Sequence, residues 1–318
     1  MNNDIKKFDA TGRDLWPDSQ IQEELSKYSP VGRVKHIAAP PLRVTRLIGG
    51  LGVVDRGQLR EEDTRRAPGT WPRMVGINVS KIRFNCQAHA LAVNISDEDA
   101  ANADDGWSLG KTYGVALVDK MATAAEPWLR NAVNSSTNVN TGVTVASAWN
   151  GTGTTSNPVA NIRTALEHVQ DTTGQKPNII IAGRTADRIL RAHSYTNFAS
   201  GGYATGDRMP KLFDVSTYVV AGAFTDVAEG FSGNPSFLID DQIIMVVQAP
   251  PTRWAATVYW SPTPEASQPG QWIPYLHPHD PLTKSRMLEV CDWSDTVVID
   301  PMLAVTISGV GSSQSGGI

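Results

Sequence analysis

From Trp107 to about Val133, apolar residues recur at spacings of three and four: Leu109, Tyr113, Ala116 with Leu117, Met121, Ala124 and Trp128. That period puts them on one face of a helix of roughly seven turns. Pro127 lies inside it and, lacking an N–H and crowding the preceding turn, predicts a bend or a restart. A second helix is marked by its ends: Asn157 as cap, Pro158 at the first position and Gly174 as stop, with Val159, Ile162, Leu166 and Val169 on one face. The stretch that follows, QKPNIIIAGRTADRILRAH, reads as a buried strand (Ile179, Ile180, Ile181), a corner at Gly183, and a helix opened by Thr185 with Ile189 and Leu190 on its apolar side.

Elsewhere the pattern is that of strands. LRVTRLI and VGINVSKIRF are strand-like, the second alternating at Val75, Ile77, Val79 and Ile82, and they lie among prolines and glycines from Pro30 to about Phe84. Two strands of this kind make no independent core, so this excursion is expected to rest on another molecule. CQAHALAVNISDEDAANADDG predicts a short strand, then a helix capped by Ser96 with Asp97, Glu98 and Asp99 in its first turn. VTVASAW is a strand candidate inside a Ser/Thr/Asn/Gly-rich linker. KLFDVSTYVVAGAF reads as a helix end and a strand, and FLIDDQIIMVVQAP and WAATVYWSP as further strands. RMLEVCDWSDTVVIDPMLAVTISGV reads as two or three strands turning at Ser294-Asp295 and Asp300-Pro301, before a GSSQSGGI end expected to be disordered. Residues 1–30 are polar with scattered apolar positions and read as an arm without a core element.

Charge sharpens this picture. The net charge is −4, yet Val31 to Arg73 holds nine basic residues against four acidic ones, a local +5. Residues 1–30 carry −2, which leaves −7 for residues 74–318. A basic segment beside an acidic body suits docking on a copy of the same chain, because complementary charge orients repeated association. Direct nucleic-acid binding by this segment is disfavoured: aromatics are absent between Val31 and Thr70, and Glu61, Glu62 and Asp63 interrupt the run. Cys86 and Cys291 are the only cysteines, too few for a disulfide framework, and predict two free thiols and a reducing compartment at synthesis. No uncharged apolar run reaches the roughly 18 residues of a membrane span.

Candidate chemistry is thin. Gly183 stands alone, followed by Arg184 and Thr185, without the companion glycines or the lysine a phosphate loop needs, and Gly49-Gly50-Leu51-Gly52 has no helix after it. His277-Pro278-His279-Asp280 brings metal-ligand residue types together, but its prolines predict an extended loop and no distant third cluster joins it. No Gly-x-Ser-x-Gly elbow occurs. Asp240-Asp241 and Asp104-Asp105 sit between elements, where solvated carboxylates are the default.

An arm, a long two-stranded loop, a long spine helix, the compact region NPVANIRTALEHVQDTTGQKPNIIIAGRTADRILRAH and a final return in strands together resemble the major capsid protein of tailed bacteriophages, the Hong Kong 97 capsid fold family. Cys86-Gln87-Ala88-His89-Ala90, with the acidic Ser96-Asp97-Glu98 turn after it, is similar to wording in some members. The resemblance implies an α+β, Hong Kong 97-type phage capsid fold. Its parts are an N-terminal arm (1–33), an extended loop (34–84), a peripheral domain with the spine helix (85–138), an axial domain (139–285), and return strands of the peripheral domain with a flexible tail (286–318). It implies a structural protein and no enzyme, with no cofactor, metal site or membrane contact, that self-assembles into the pentamers and hexamers of an icosahedral shell around phage double-stranded DNA. Scaffold, portal and decoration proteins are further implied partners, and the packaged DNA is contacted without sequence specificity. The implied location is the virion capsid, after synthesis and assembly in the bacterial host cytoplasm. Arg43, Arg46, Arg60, Arg65 and Arg66 are the expected inter-subunit contacts. Two departures stand out. The chain starts at Met1 without the long helical scaffolding segment of some members, which implies a separate scaffold or none, and no lysine and asparagine pair marks the covalent cross-link of others. The alternatives are an encapsulin-like shell of a bacterial nanocompartment and, in a different class, a cytoplasmic α/β ligand-binding enzyme with its site near Gly183 or His277.

Overall fold

The computed structural model describes residues 16–17, 25, 32–54, 65, 71, 79–102, 109–140, 149, 157–199, 207–225, 236–249, 252–261 and 272–311. In chain order its main elements are α1 (Lys35–Ala38), β1 (Pro41–Val44), β2 (Ile48–Val54), β3 (Val79–Asn85), β4 (Gln87–Ser96), α2 (Asp97–Asn102), α3 (Leu109–Asn134), α4 (Pro158–Thr173), β5 (Ile179–Ala182), α5 (Arg184–Ala192), β6 (Thr217–Val220), β7 (Gln242–Val246), β8 (Ala255–Trp260), β9 (Ile273–Leu276), β10 (Ser285–Val298) and β11 (Ala304–Ser308). The VTVASAW strand expectation, Trp107, Val75, Ile77, the Asp104-Asp105 pair and the GSSQSGGI tail lie outside the described residues.

Two sheets organise the chain. The larger is built on β10, whose first ten residues pair antiparallel with β4 from Ser285↔Ser96 to Ser294↔Gln87. On its other side β10 pairs with β9 and then with β8, and β8 in turn holds β1 in parallel. Trp16–Pro17 adds a short antiparallel pairing to β9. The smaller sheet runs β11, β7, β5, β6, the last pair parallel. The expected turn at Ser294-Asp295 does not form, because both residues are spent in the ladder opposite Tyr259 and Val258. Asp295 Oδ2 also accepts the Asn85 N–H at 2.9 Å. At Asp300-Pro301 the turn does form: Asp300 Oδ1 accepts the Met302 N–H at 3.0 Å and caps a 3-10 turn. Strand pairing crosses the sequence-drawn boundaries, since Ala304–Ser308 edges the smaller sheet while Ala255–Trp260 belongs to the larger one.

The principal core is wrapped around the smaller sheet. Ile180, Ile181, Ile243 and Ile244 are fully buried between strands and helices, each such side chain contributing about 1.5–3 kcal/mol. Ile162, Leu166 and Val169 of α4, Leu190 of α5, and Leu129 and Val133 at the end of α3 close over them. The caps of α4 are those the residues demand: Asn157 Oδ1 accepts the Ala160 N–H at 3.1 Å, and Gly174 stops the helix at φ 71°.

The spine helix α3 runs unbroken through Pro127. Its buried face is rotated from the expected stripe: Leu117, Val118, Met121, Ala122, Leu129, Ala132 and Val133 are inside, whereas Ala116 and Ala124 are exposed. Alanine carries too little apolar surface to decide which way a helix turns. The arm also contributes more than expected. Leu25, 2% exposed, packs with Leu117, Val118, Met121, Leu288 and Val290 in a second core between the spine and the larger sheet.

Candidate functional site

The hairpin of β2 and β3 and its connecting segment carry much of the exposed apolar surface among the described residues. Its strands pair from Ile48↔Asn85 to Val54↔Val79. Among its described residues the buried ones lie near the root, where Phe84 and Cys86 bury against Val258 with Leu51 and Trp260 alongside. A Cβ at Gly49 would lie 2.8 Å from the Phe84 ring, so a larger residue there would push that ring aside. Apolar side chains also face outward, at the root (Leu47, Ile48) and at the far end of the described ladder (Val79). Leu47, Ile48, Val79 and Trp71, the last 92% exposed, are four of the seven exposed large apolar residues among the described ones. The exposed Lys81 and Arg83 add charge.

Of the five expected contact arginines, Arg43 is exposed on β1, Arg46 is exposed just before β2, and Arg65 is exposed. Arg60 and Arg66 lie outside the described residues. Nothing in the pattern had singled out Trp71, which sits one residue beyond the segment without aromatics.

The segment leading into β1 is held to the spine by a polar clasp that periodicity could not reveal. Glu126, 1% exposed, accepts the Lys35 N–H at Oε1 (2.9 Å), so a spine carboxylate caps the short helix α1 leading into β1. Two turns earlier on the same helix face, Asp119 pairs with Arg33 at 3.2 Å. Burial raises the Glu126 carboxyl above the usual range, against the opposing pull of these hydrogen bonds and of Arg33 and Lys35. Burial also lowers the Lys35 ammonium. Glu126→Ala should therefore destabilise the fold by about 2–4 kcal/mol, because it orphans buried partners. Glu126→Gln keeps the acceptor and removes the charge, and should stay within about 1 kcal/mol of the parent. With its folded pKa raised, Glu126 stabilises most below its unfolded-chain value, and this contribution is lost as pH rises through the folded value. Glu126→Gln should abolish that part of the pH slope in denaturant titrations of the purified chain.

At Gly183 the structure leaves no space for a phosphate. A Cβ there would lie 2.2 Å from the Asp240 carbonyl oxygen, and the first turn of α5 is already satisfied by Asp240. Its Oδ1 accepts the Thr185 N–H at 3.0 Å and its carbonyl the Ala186 N–H at 3.1 Å. Asp241 accepts the Gly311 N–H, so neither carboxylate is the solvated turn residue expected. On α5, Arg184, Arg188 and Arg191 border an open hollow of about 840 Å³ together with Asp187 and Phe237.

The histidines of 277–280 diverge. His277 Nε2 lies 2.7 Å from Glu289, and His279 Nε2 lies 2.9 Å from Asp97. Among the described residues no group of three His, Cys, Asp or Glu is placed to hold a metal ion. Both cysteines are free and buried. Burial pushes the Cys86 thiol up to about 11, with the nearby Asp295 and Asp292 charges adding to it. Burial likewise raises Cys291, whose thiol donates to Glu289 Oε1 at 2.9 Å. Thiols held protonated in this way are poor nucleophiles. Among the described residues no helix is long and apolar enough to cross a membrane.

No family model matches the chain, and no curated protein matches it in sequence. Its structure does find counterparts. A phage-related protein from Bordetella bronchiseptica superposes with a TM-score of 0.72 at 17% identity, covering 94% of this chain and 99% of that one. The capsid of Cyanophage P-SCSP1u gives 0.54 at 12% identity, over 86% and 87% of the two chains. An encapsulin complex from Synechococcus elongatus gives 0.52 at 12% identity, over 91% of each. The chain thus has the α+β architecture of phage capsid subunits, the Hong Kong 97-type fold expected above.

Proposed function

We propose that this chain, having the capsid fold, is the major capsid protein of a tailed phage, a structural subunit that assembles through pentamers and hexamers into an icosahedral shell around double-stranded DNA. The observation that carries the reading is the β2–β3 hairpin, which keeps Ile48, Val79 and Trp71 in solvent. A monomer gains nothing from a two-stranded projection with an apolar surface, whereas a neighbouring copy can bury it. The full-length likeness to a phage-related protein favours a phage shell over a nanocompartment. Residues 34–84 act as the extended loop and 85–138 with 286–318 as the peripheral domain around the spine. Residues 139–285 act as the axial domain, with β11 joining its sheet and β8 leaving it. Arg43, Arg46, Arg60, Arg65 and Arg66 are contacts between copies. Scaffold, portal and decoration proteins are the further partners, assembly takes place in the host cytoplasm, and DNA is held without sequence readout.

Negative-stain microscopy of the purified chain tests this: closed particles tens of nanometres across support it, and a monomer or dimer under every assembly condition overturns it. Enclosed double-stranded DNA supports the phage reading, and an enclosed enzyme the nanocompartment. Within the same assay, Arg65→Glu with Arg66→Glu should leave the monomer folded and lower particle yield at low salt, with the deficit shrinking as salt screens the charges. Unchanged yield across the salt series counts against a role for these arginines.

A further inference from the structure

A ring of identical subunits requires two different surfaces on each copy, one presented forward and one back. Two helices of this chain carry such a pair. On α5 the exposed Arg184 and Arg188 lie four residues apart, with Arg191 one turn further on. The carboxylates beside them are engaged within the chain. Asp187 Oδ1 accepts from Arg191 Nε at 2.8 Å and from the Tyr218 hydroxyl at 2.7 Å, and Asp240 caps the helix. Arg184 lies over the Phe237 ring, 4.7 Å from its centroid, which fixes the guanidinium at the rim of the hollow. Among the described residues Arg188 has no carboxylate partner. On α4 the exposed Glu167 and Asp171 are also four residues apart, and among the described residues neither pairs with a cation. Both pairs span about 6 Å along a helix, so two helices laid side by side can close both ion pairs at once.

We infer that the Arg184/Arg188 face of α5 docks on the Glu167/Asp171 face of α4 in a second copy of this chain, as the head-to-tail contact that closes a capsomer ring. The inference rests on the shell reading above. One exposed pair changes an association constant only a few-fold, but a ring repeats the contact at every subunit, so reversal of its sign is multiplied around the closure.

The test is a charge exchange in the full chain. Arg184→Glu with Arg188→Glu should lower particle yield at least ten-fold while the unassembled chain stays folded, its unfolding midpoint moving no further than in the single variant Arg184→Gln, which also loses the Phe237 contact. Adding Glu167→Arg and Asp171→Arg to the same chain should restore assembly. Normal yield from the first variant, or no recovery in the exchanged one, overturns the contact. Loss of binding to a short DNA duplex by the first variant, with its assembly intact, also overturns it and gives the face to packaged nucleic acid. A second measurement separates this contact from shell formation itself. Chains carrying Arg188→Cys are mixed with chains carrying Asp171→Cys under mild oxidation, the native thiols being buried. A disulfide between the two chains supports the contact even where no closed particle forms, and its absence at associating concentrations refutes it.

Discussion

Leu117→Asp should abolish soluble, folded subunit, while Ala116→Asp, one residue away, should leave folding within about 0.5 kcal/mol of the parent. Leu117 is buried against Leu25, Val118, Met121, Leu288 and Val290. Substitution there empties a core site, at about 2–5 kcal/mol, and strands a carboxylate among apolar neighbours. Against a total stability of about 5–15 kcal/mol, that is sufficient to unfold the chain. Ala116 faces solvent, so a carboxylate there stays hydrated. Soluble yield and circular dichroism of the two variants decide the matter. Equal behaviour of the pair would show that the buried face of the spine has been assigned to the wrong side.

Gly183→Ala should cost about 3 kcal/mol, although it adds a single methyl group. The backbone at Gly183 is ordinary, with φ −65° and ψ 157°, so conformational freedom is not what demands glycine. The demand comes from the Asp240 carbonyl, which occupies the space a Cβ would take and accepts the Ala186 N–H from it. Relief would require α5 to withdraw from the turn before β7 and give up its capping. Gly50→Ala is the matched control, because its Cβ would meet Lys81 Cβ at 3.5 Å, an ordinary contact. Denaturant midpoints should separate the two, and a Gly183→Ala midpoint equal to that of Gly50→Ala would refute the steric account.

The elements legible in the sequence are those whose determinants are local. Asn157, Pro158 and Gly174 bound α4 by chemistry that acts within a turn or two, and the three isoleucines before Gly183 declare a buried strand. What escaped depends on partners far along the chain. Nothing in the helical pattern marks Glu126, whose buried carboxylate is matched by the Lys35 N–H, 91 positions away. Asp240 looked like a solvated turn because the helix it caps is 55 residues earlier. Leu25 sat in a polar arm, and only the gap between spine and sheet makes it a core residue. The basic hairpin was legible as a segment without a core of its own, yet its exposed apolar side chains emerged only once strand register had assigned each residue a face.

The strand order also governs when this chain can fold during its synthesis. The larger sheet is assembled on Ser285–Val298, to which β4, β8 and β9 all pair, and the smaller sheet is edged by Ala304–Ser308. β1, made within the first fifty residues, waits for its parallel partner Ala255–Trp260. Neither core can therefore close on the ribosome until residues 285–308 have emerged. A polypeptide cut short before Ser285 by a stalled ribosome or a nonsense codon lacks the strand on which the rest is built, and cannot complete the larger sheet.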